Sequence, residues 1–177
     1  MIVRIVFLVG ALAACGPARG ADFCARTNMN QVVWTPGFEE ALDGYFGGER
    51  ADLYWANGRV SEQALAGLGG PPNELERLSG GLVIGSACRA HSCDLEQAAA
   101  VIQCPSRIVA VGVKHFRCGA GQCDSLPTFT IYSGPGIPGV ARQRLEEWAR
   151  SVSGHPDHAV RIEHRTPRRG AVDSAHR

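Results

Sequence analysis

Seven cysteines in a chain that opens with an export leader limit the fold more than any other feature of the sequence. The first fourteen residues carry one charge, Arg4, ahead of apolar runs over 5–9 and 11–14, which is the layout of a secretory leader. The run is too short to span a bilayer. Cys15 closes the leader, and behind it stand Cys24, Cys88, Cys93, Cys104, Cys118 and Cys123, an even set in a chain sent to an oxidising compartment. Six cysteines allow fifteen pairings. Cys88 with Cys93 and Cys118 with Cys123 each enclose four residues and read as local loops, which leaves Cys24 for Cys104. That third bond closes a long loop and is expected to stabilise the fold by a few kcal/mol.

Leu12-Ala13-Ala14-Cys15 resembles the lipobox of bacterial lipoproteins, in which the cysteine is acylated and becomes the new N-terminus. The resemblance implies an exported protein of the periplasm or cell envelope, held to a membrane through lipidation at Cys15. Ordinary cleavage a little later, after residues 18–20, is the competing reading and discards Cys15 with the leader. Under either reading Cys15 takes no part in folding.

Without Arg4 the chain holds 17 basic and 17 acidic residues. From Arg161 onward there are five arginines against Glu163 and Asp173, while residues 15–160 hold 12 basic and 15 acidic groups. A mildly acidic body with a short basic end lacks the basic, aromatic-studded face of a nucleic-acid binder, so no nucleic-acid partner is expected. Residues 161–177 read as a disordered basic tail.

The length between leader and tail suits one domain. Residues 15–34 read as a tether and N-terminal segment, and 35–160 as the domain itself. Thr35-Pro36 offers an N-cap and a first-turn proline, after which Phe38, Ala41, Leu42, Tyr45 and Phe46 recur at helical spacing. A second helix is predicted over 61–68, ending in the breaker Gly69-Gly70-Pro71-Pro72. Short apolar or β-branched runs at 82–87, 98–103, 107–113 and 128–132 predict an antiparallel meander. A last helix over 139–152 carries Ala141, Leu145, Trp148, Ala149 and Val152 on one face. The expected class is α+β, a mostly antiparallel sheet with helices packed on one face.

The segment Ser86-Ala87-Cys88-Arg89-Ala90-His91-Ser92-Cys93-Asp94 carries the functional argument. A bond between its cysteines clamps a loop at the base and displays Arg89, Ala90, His91 and Ser92 with little conformational freedom left to lose on binding. A neutral histidine so held both donates and accepts hydrogen bonds.

Cys88, His91 and Cys93, with Arg89 in place of a lysine, resemble the Cys-Lys-Pro-His-Asp-Cys loop of the inhibitor of vertebrate lysozyme family, often called Ivy. The helix from Phe38 to Phe46 and the later Trp55 are also similar to that family's N-terminal half. The resemblance covers residues 38–113. It implies a periplasmic inhibitor that pushes this loop into the cleft of c-type lysozyme, with His91 facing the two catalytic carboxylates. The cell's own lytic transglycosylases, which also use a carboxylic acid in a glycan cleft, are a related partner class. Ala90 and Ser92 depart from the proline and aspartate of the pattern, and the pair Cys118/Cys123 lies outside it.

Other chemistries fit less well. Cys88, His91 and Cys93 are ligand types for zinc, but thiolate sites are uncommon where thiols are oxidised, so no metal and no cofactor are expected. Redox catalysis calls for Cys-x-x-Cys, and neither close pair has that spacing. No Gly-x-Ser-x-Gly elbow or His-Glu-x-x-His helix is present, so the chain does not read as an enzyme. Glu39-Glu40 and Glu146-Glu147 read as solvated helix faces, and His155 and His158 as loop residues. The competing function is an envelope lipoprotein acting as a structural or adaptor module without lysozyme inhibition.

Overall fold

The computed structural model of the chain describes residues 21–168 apart from 120, 156 and 158. The leader, Cys15, His158 and residues 169–177 therefore lie outside the described residues. A single 3-10 turn, Phe23–Ala25, precedes helices α1 (Met29–Val33) and α2 (Phe38–Phe46). A two-residue ladder of β1 (Arg50–Ala51) and β2 (Gly58–Arg59) leads into α3 (Val60–Leu68). Strands β3 (Glu76–Leu78), β4 (Leu82–Cys88), β5 (Gln97–Gln103) and β6 (Arg107–His115) follow. The small hairpin β7 (Cys118–Gly119) and β8 (Gln122–Cys123) precedes β9 (Thr128–Ser133), α4 (Gly139–Ser151) and β10 (Arg161–Arg165).

Six strands make one sheet in the order β10-β9-β6-β5-β4-β3, antiparallel throughout except for the β10–β9 pair. The α+β class expected from the sequence is the class observed.

The helices do not share one face, and this corrects the expected layering. Along β5, Ala98, Ala100 and Ile102 pack with α2 and α3, whereas Ala99 and Val101 pack with α4. Successive side chains of a strand point to opposite faces, so these are the two faces of the sheet. The reason is local: β4 and β5 are buried along nearly their whole length, and a strand that is apolar at every position needs cover on both sides. Gly112 lets α4 come close, because a β-carbon there would stand 2.8 Å from the indole of Trp148. The core rings Phe23–Phe38 and Phe129–Trp148 meet edge to face, at 5.4 and 5.5 Å between centroids.

Three further expectations need correction. Thr35 does not cap α2: its hydroxyl donates to the Gln31 carbonyl at 2.7 Å, and α2 starts after Gly37, whose φ of 91° only glycine takes without strain. The domain does not begin at residue 35, since Phe23, Met29 and Val32 of the N-terminal segment are core residues and the Phe23 N–H donates to the Pro105 carbonyl at 2.9 Å. Residues 161–165 are not disordered, because they pair in parallel with β9. Their charges are compensated locally: Arg161 pairs with Asp124 at 2.7 Å and Glu163 with Arg117, while Ile162 packs on the α4 side of the sheet.

Candidate functional site

Cys88 ends β4 and Gln97 opens β5, and the register pairs them, so the intervening residues must leave the sheet as a loop. The next step of that register sets Arg89 opposite Glu96. The Arg89 N–H donates to the Glu96 carbonyl at 2.9 Å, and the two side chains form an ion pair at 2.7 Å. Directly opposed charges on a ladder attract in this way. The Cys88–Cys93 disulfide, with 4.7 Å between Cα atoms, ties the loop back to the last residue of β4.

Between Cys88 and Gln97 the chain turns twice. The Ser92 N–H donates to the Arg89 carbonyl at 3.0 Å, and the Glu96 N–H donates to the Ser92 carbonyl at 2.8 Å. His91 occupies the third position of the first turn with a φ of 67°, the left-handed region that few residues other than glycine enter. Ala90 and His91 are exposed, while Arg89 and Ser92 are half-buried. Among the described residues the His91 imidazole has no hydrogen-bond partner.

Arg89 is therefore committed to the root of the loop, not to its tip. Besides Glu96 it meets Trp55, with the guanidinium carbon 5.7 Å from the ring centroid, the geometry of a cation–π contact. The Tyr54 hydroxyl donates to the Gln97 carbonyl at 2.8 Å; burial, helped by the charge of Glu96, raises its pKa well beyond the phenol range.

Two more supports hold the loop from below and behind. The segment 69–72, which reads in sequence only as a breaker, runs beside β4: Pro72 bridges Ala87, and the Cys88 N–H donates to the Pro71 carbonyl at 3.3 Å. On the exit limb, the Lys114 ammonium donates to the carbonyls of Asp94 and Val152, both at 2.7 Å. Burial lowers the Lys114 pKa, with the Asp94 charge opposing the change. The Gln97 side chain donates to the Cys93 carbonyl at 2.6 Å.

The remaining cysteines form the other two bonds expected, Cys24–Cys104 and Cys118–Cys123. The second of these joins β7 to β8 across their register. With all six sulfurs bonded to one another, none is left as a thiolate, and among the described residues no group of three or more metal-ligating side chains gathers. Glu146 and Glu147 pair with Arg150 and Arg144 along α4.

Gly70 lies directly against the loop root, where a β-carbon would collide with the Cys88 carbonyl oxygen. Glu96, Lys114 and the packing roles of Gly70 and Trp55 escaped the sequence reading. Glu96 alone left a trace, because a hairpin closing at Cys88 and Gln97 necessarily opposes it to Arg89.

The sheet thus carries one braced loop with the His91 side chain exposed at its tip. The chain belongs to the inhibitor of vertebrate lysozyme (Ivy) family, whose model matches residues 41–151. The match runs from within α2 to the last residue of α4 and includes the whole clamped loop. That family consists of inhibitor proteins, not enzymes. No curated protein and no solved structure matches the chain.

Proposed function

We propose that this protein inhibits c-type lysozyme by placing the 88–93 loop in the active-site cleft with His91 between the catalytic carboxylates. The observation that carries this is the exposed imidazole of His91, without a hydrogen-bond partner among the described residues, at the tip of a loop braced by the disulfide, Arg89–Glu96, Gly70 and Lys114. A glycosidase of this type works with one carboxylic acid and one carboxylate across the scissile bond. A neutral imidazole accepts from the acid with one nitrogen and donates to the carboxylate with the other. Because the loop is already ordered, little entropy is lost when it enters the cleft. Ala90 and Ser92 flank His91 at the tip, whereas Arg89 acts from the root by holding the turn.

The leader and Cys15 support export and lipid attachment, which would station the inhibitor in the envelope, where an incoming lysozyme meets peptidoglycan. Among the described residues no helix is long and apolar enough to cross a membrane. The attachment proposed is the lipid at Cys15. The experiment is the lysis of a peptidoglycan suspension by c-type lysozyme titrated with the purified protein. The reading expects lysis to fall in proportion to inhibitor up to one equivalent; unchanged lysis at micromolar protein overturns it.

A further inference from the structure

The loop does not stand alone at its end of the sheet. Strands β4, β5, β6 and β9 are successive antiparallel neighbours, so the β4–β5 loop and the β6–β9 connection, which carries the Cys118–Cys123 hairpin, emerge at the same end. The register lines up Cys88, Gln97, Lys114 and Phe129 in one row across the sheet. With strands spaced at about 4.8 Å, the root of the loop and the end of β6 lie roughly 10 Å apart.

Phe116, half-buried just past β6, lines two depressions at this end. One, of about 520 Å³, is shared with Tyr54, Trp55 and Cys118. The other, of about 500 Å³, is shared with Asp94, Leu95 and Lys114. Trp34, Trp55 and Leu95 are the exposed large apolar side chains among the described residues, and two of these three stand here, at 38% and 55% exposure. Trp55 also stacks on Arg89, which joins this surface to the loop.

From these features we infer that the interface extends past the clamped loop, over Leu95, Trp55 and Phe116 to the Cys118–Cys123 hairpin, and that this surface seats the rim of the c-type lysozyme cleft that receives His91. The inference rests on the proposed function. A stable complex buries roughly 800 Å² per partner, from about 20–30 residues a side, and a four-residue tip falls far short. A cleft that closes over His91 brings its walls down beside the loop, where these depressions lie. Trp and Arg are the residue types that most often anchor an interface, and Trp55 stacked on Arg89 supplies both here, with Leu95 and Phe116 adding apolar area. The arginines next to them are already compensated by Glu163 and Asp124, so the contact is one of shape and apolar burial.

The test measures binding of immobilised c-type lysozyme to the full exported protein and to folded variants, with circular dichroism as the fold check. Leu95→Ala removes an exposed apolar contact. Gly119→Trp adds bulk to the hairpin, where a β-carbon meets nothing within 4 Å. Gly139→Trp adds the same bulk in equally open space at the start of α4, at the opposite end of the sheet. Leu95→Ala and Gly119→Trp are each expected to raise Kd about tenfold or more, with Gly139→Trp unchanged. If both bind like wild type while His91→Ala binds weakly, the interface is confined to the loop and the inference fails alone. If both weaken binding while His91→Ala does not, this surface stands and the loop reading falls. Absence of wild-type binding, or equal loss in Gly139→Trp, overturns the inference.

Discussion

Gly70 faces the carbonyl oxygen of Cys88 with no room for a β-carbon between them, and the same β-carbon would stand 2.7 Å from the Ala90 nitrogen. The glycine breaker of the sequence is thus the seat of the clamped loop. Gly70→Ala should push the loop root outward at a cost of about 1–3 kcal/mol in stability, as overpacking does. Urea unfolding reads the stability and a lysis assay reads the inhibition. The variant should fold, be less stable and inhibit less; unchanged values in both measurements contradict a seated loop.

The disulfides should separate stability from inhibition. Cys24–Cys104 spans 80 residues of sequence and Cys88–Cys93 spans 5. Loop-closure entropy gives about 4.5 kcal/mol for the first and about 2 kcal/mol for the second. Replacing Cys24 and Cys104 by serine should lower the unfolding free energy most and leave residual folded protein inhibitory. Replacing Cys88 and Cys93 should cost less stability and more inhibition, through lost preorganisation. The reverse pattern would show that the clamp serves only the fold.

His115 makes the fold sensitive to acid. It is buried against Thr130, with 2.9 Å between Nε2 and Oγ1. Burial lowers its pKa from 6.5 to about 4, Arg117 and Arg165 adding to the effect, while Glu163 and the Phe116 backbone oppose it. The unfolded chain takes up this proton near pH 6.5 and the folded chain only near 4. Stability is therefore full above pH 6.5, falls as pH drops toward 4, and loses no more from this group below that. Between pH 7 and 4.5 the wild type should lose on the order of 2 kcal/mol more than His115→Gln. Parallel losses, followed by urea unfolding at each pH, would remove His115 from the account.

Much of this architecture was legible in the chain. The four central strands and the helices at 38–46 and 139–151 follow from periodicity and breakers, and the loop is marked by Cys88, His91 and Cys93. What the sequence concealed has physical causes. Arg161–Arg165 has one apolar residue, Ile162, and becomes a strand only because Asp124, Arg117 and β9 are waiting for it. The two-sided covering of the sheet was written in the unbroken apolar runs of β4 and β5, but a run of that kind does not say which helix takes which face. Lys114 reads as an ordinary strand-end cation, and only the fold brings Asp94 and Val152 to its ammonium.

Lipid attachment at Cys15 is testable independently of the fold, since that residue lies outside the described residues. Cells fed a fatty-acid analogue should label the wild-type protein and not a Cys15→Ala variant. Labelling that is equal in both, or absent from both, excludes the anchor and leaves ordinary leader cleavage.

The central claim is that His91 is the contact on which inhibition turns. The most direct measurement is the dissociation constant of wild-type protein and His91→Ala for c-type lysozyme, taken alongside turbidity loss of a cell-wall suspension. His91 has no hydrogen-bond partner among the described residues, so its removal should leave the fold unchanged. A buried hot spot at the centre of an interface is worth about 2 kcal/mol or more, so Kd should rise about 30-fold and lysis should resume. A folded His91→Ala protein that binds and inhibits as well as wild type would contradict the account.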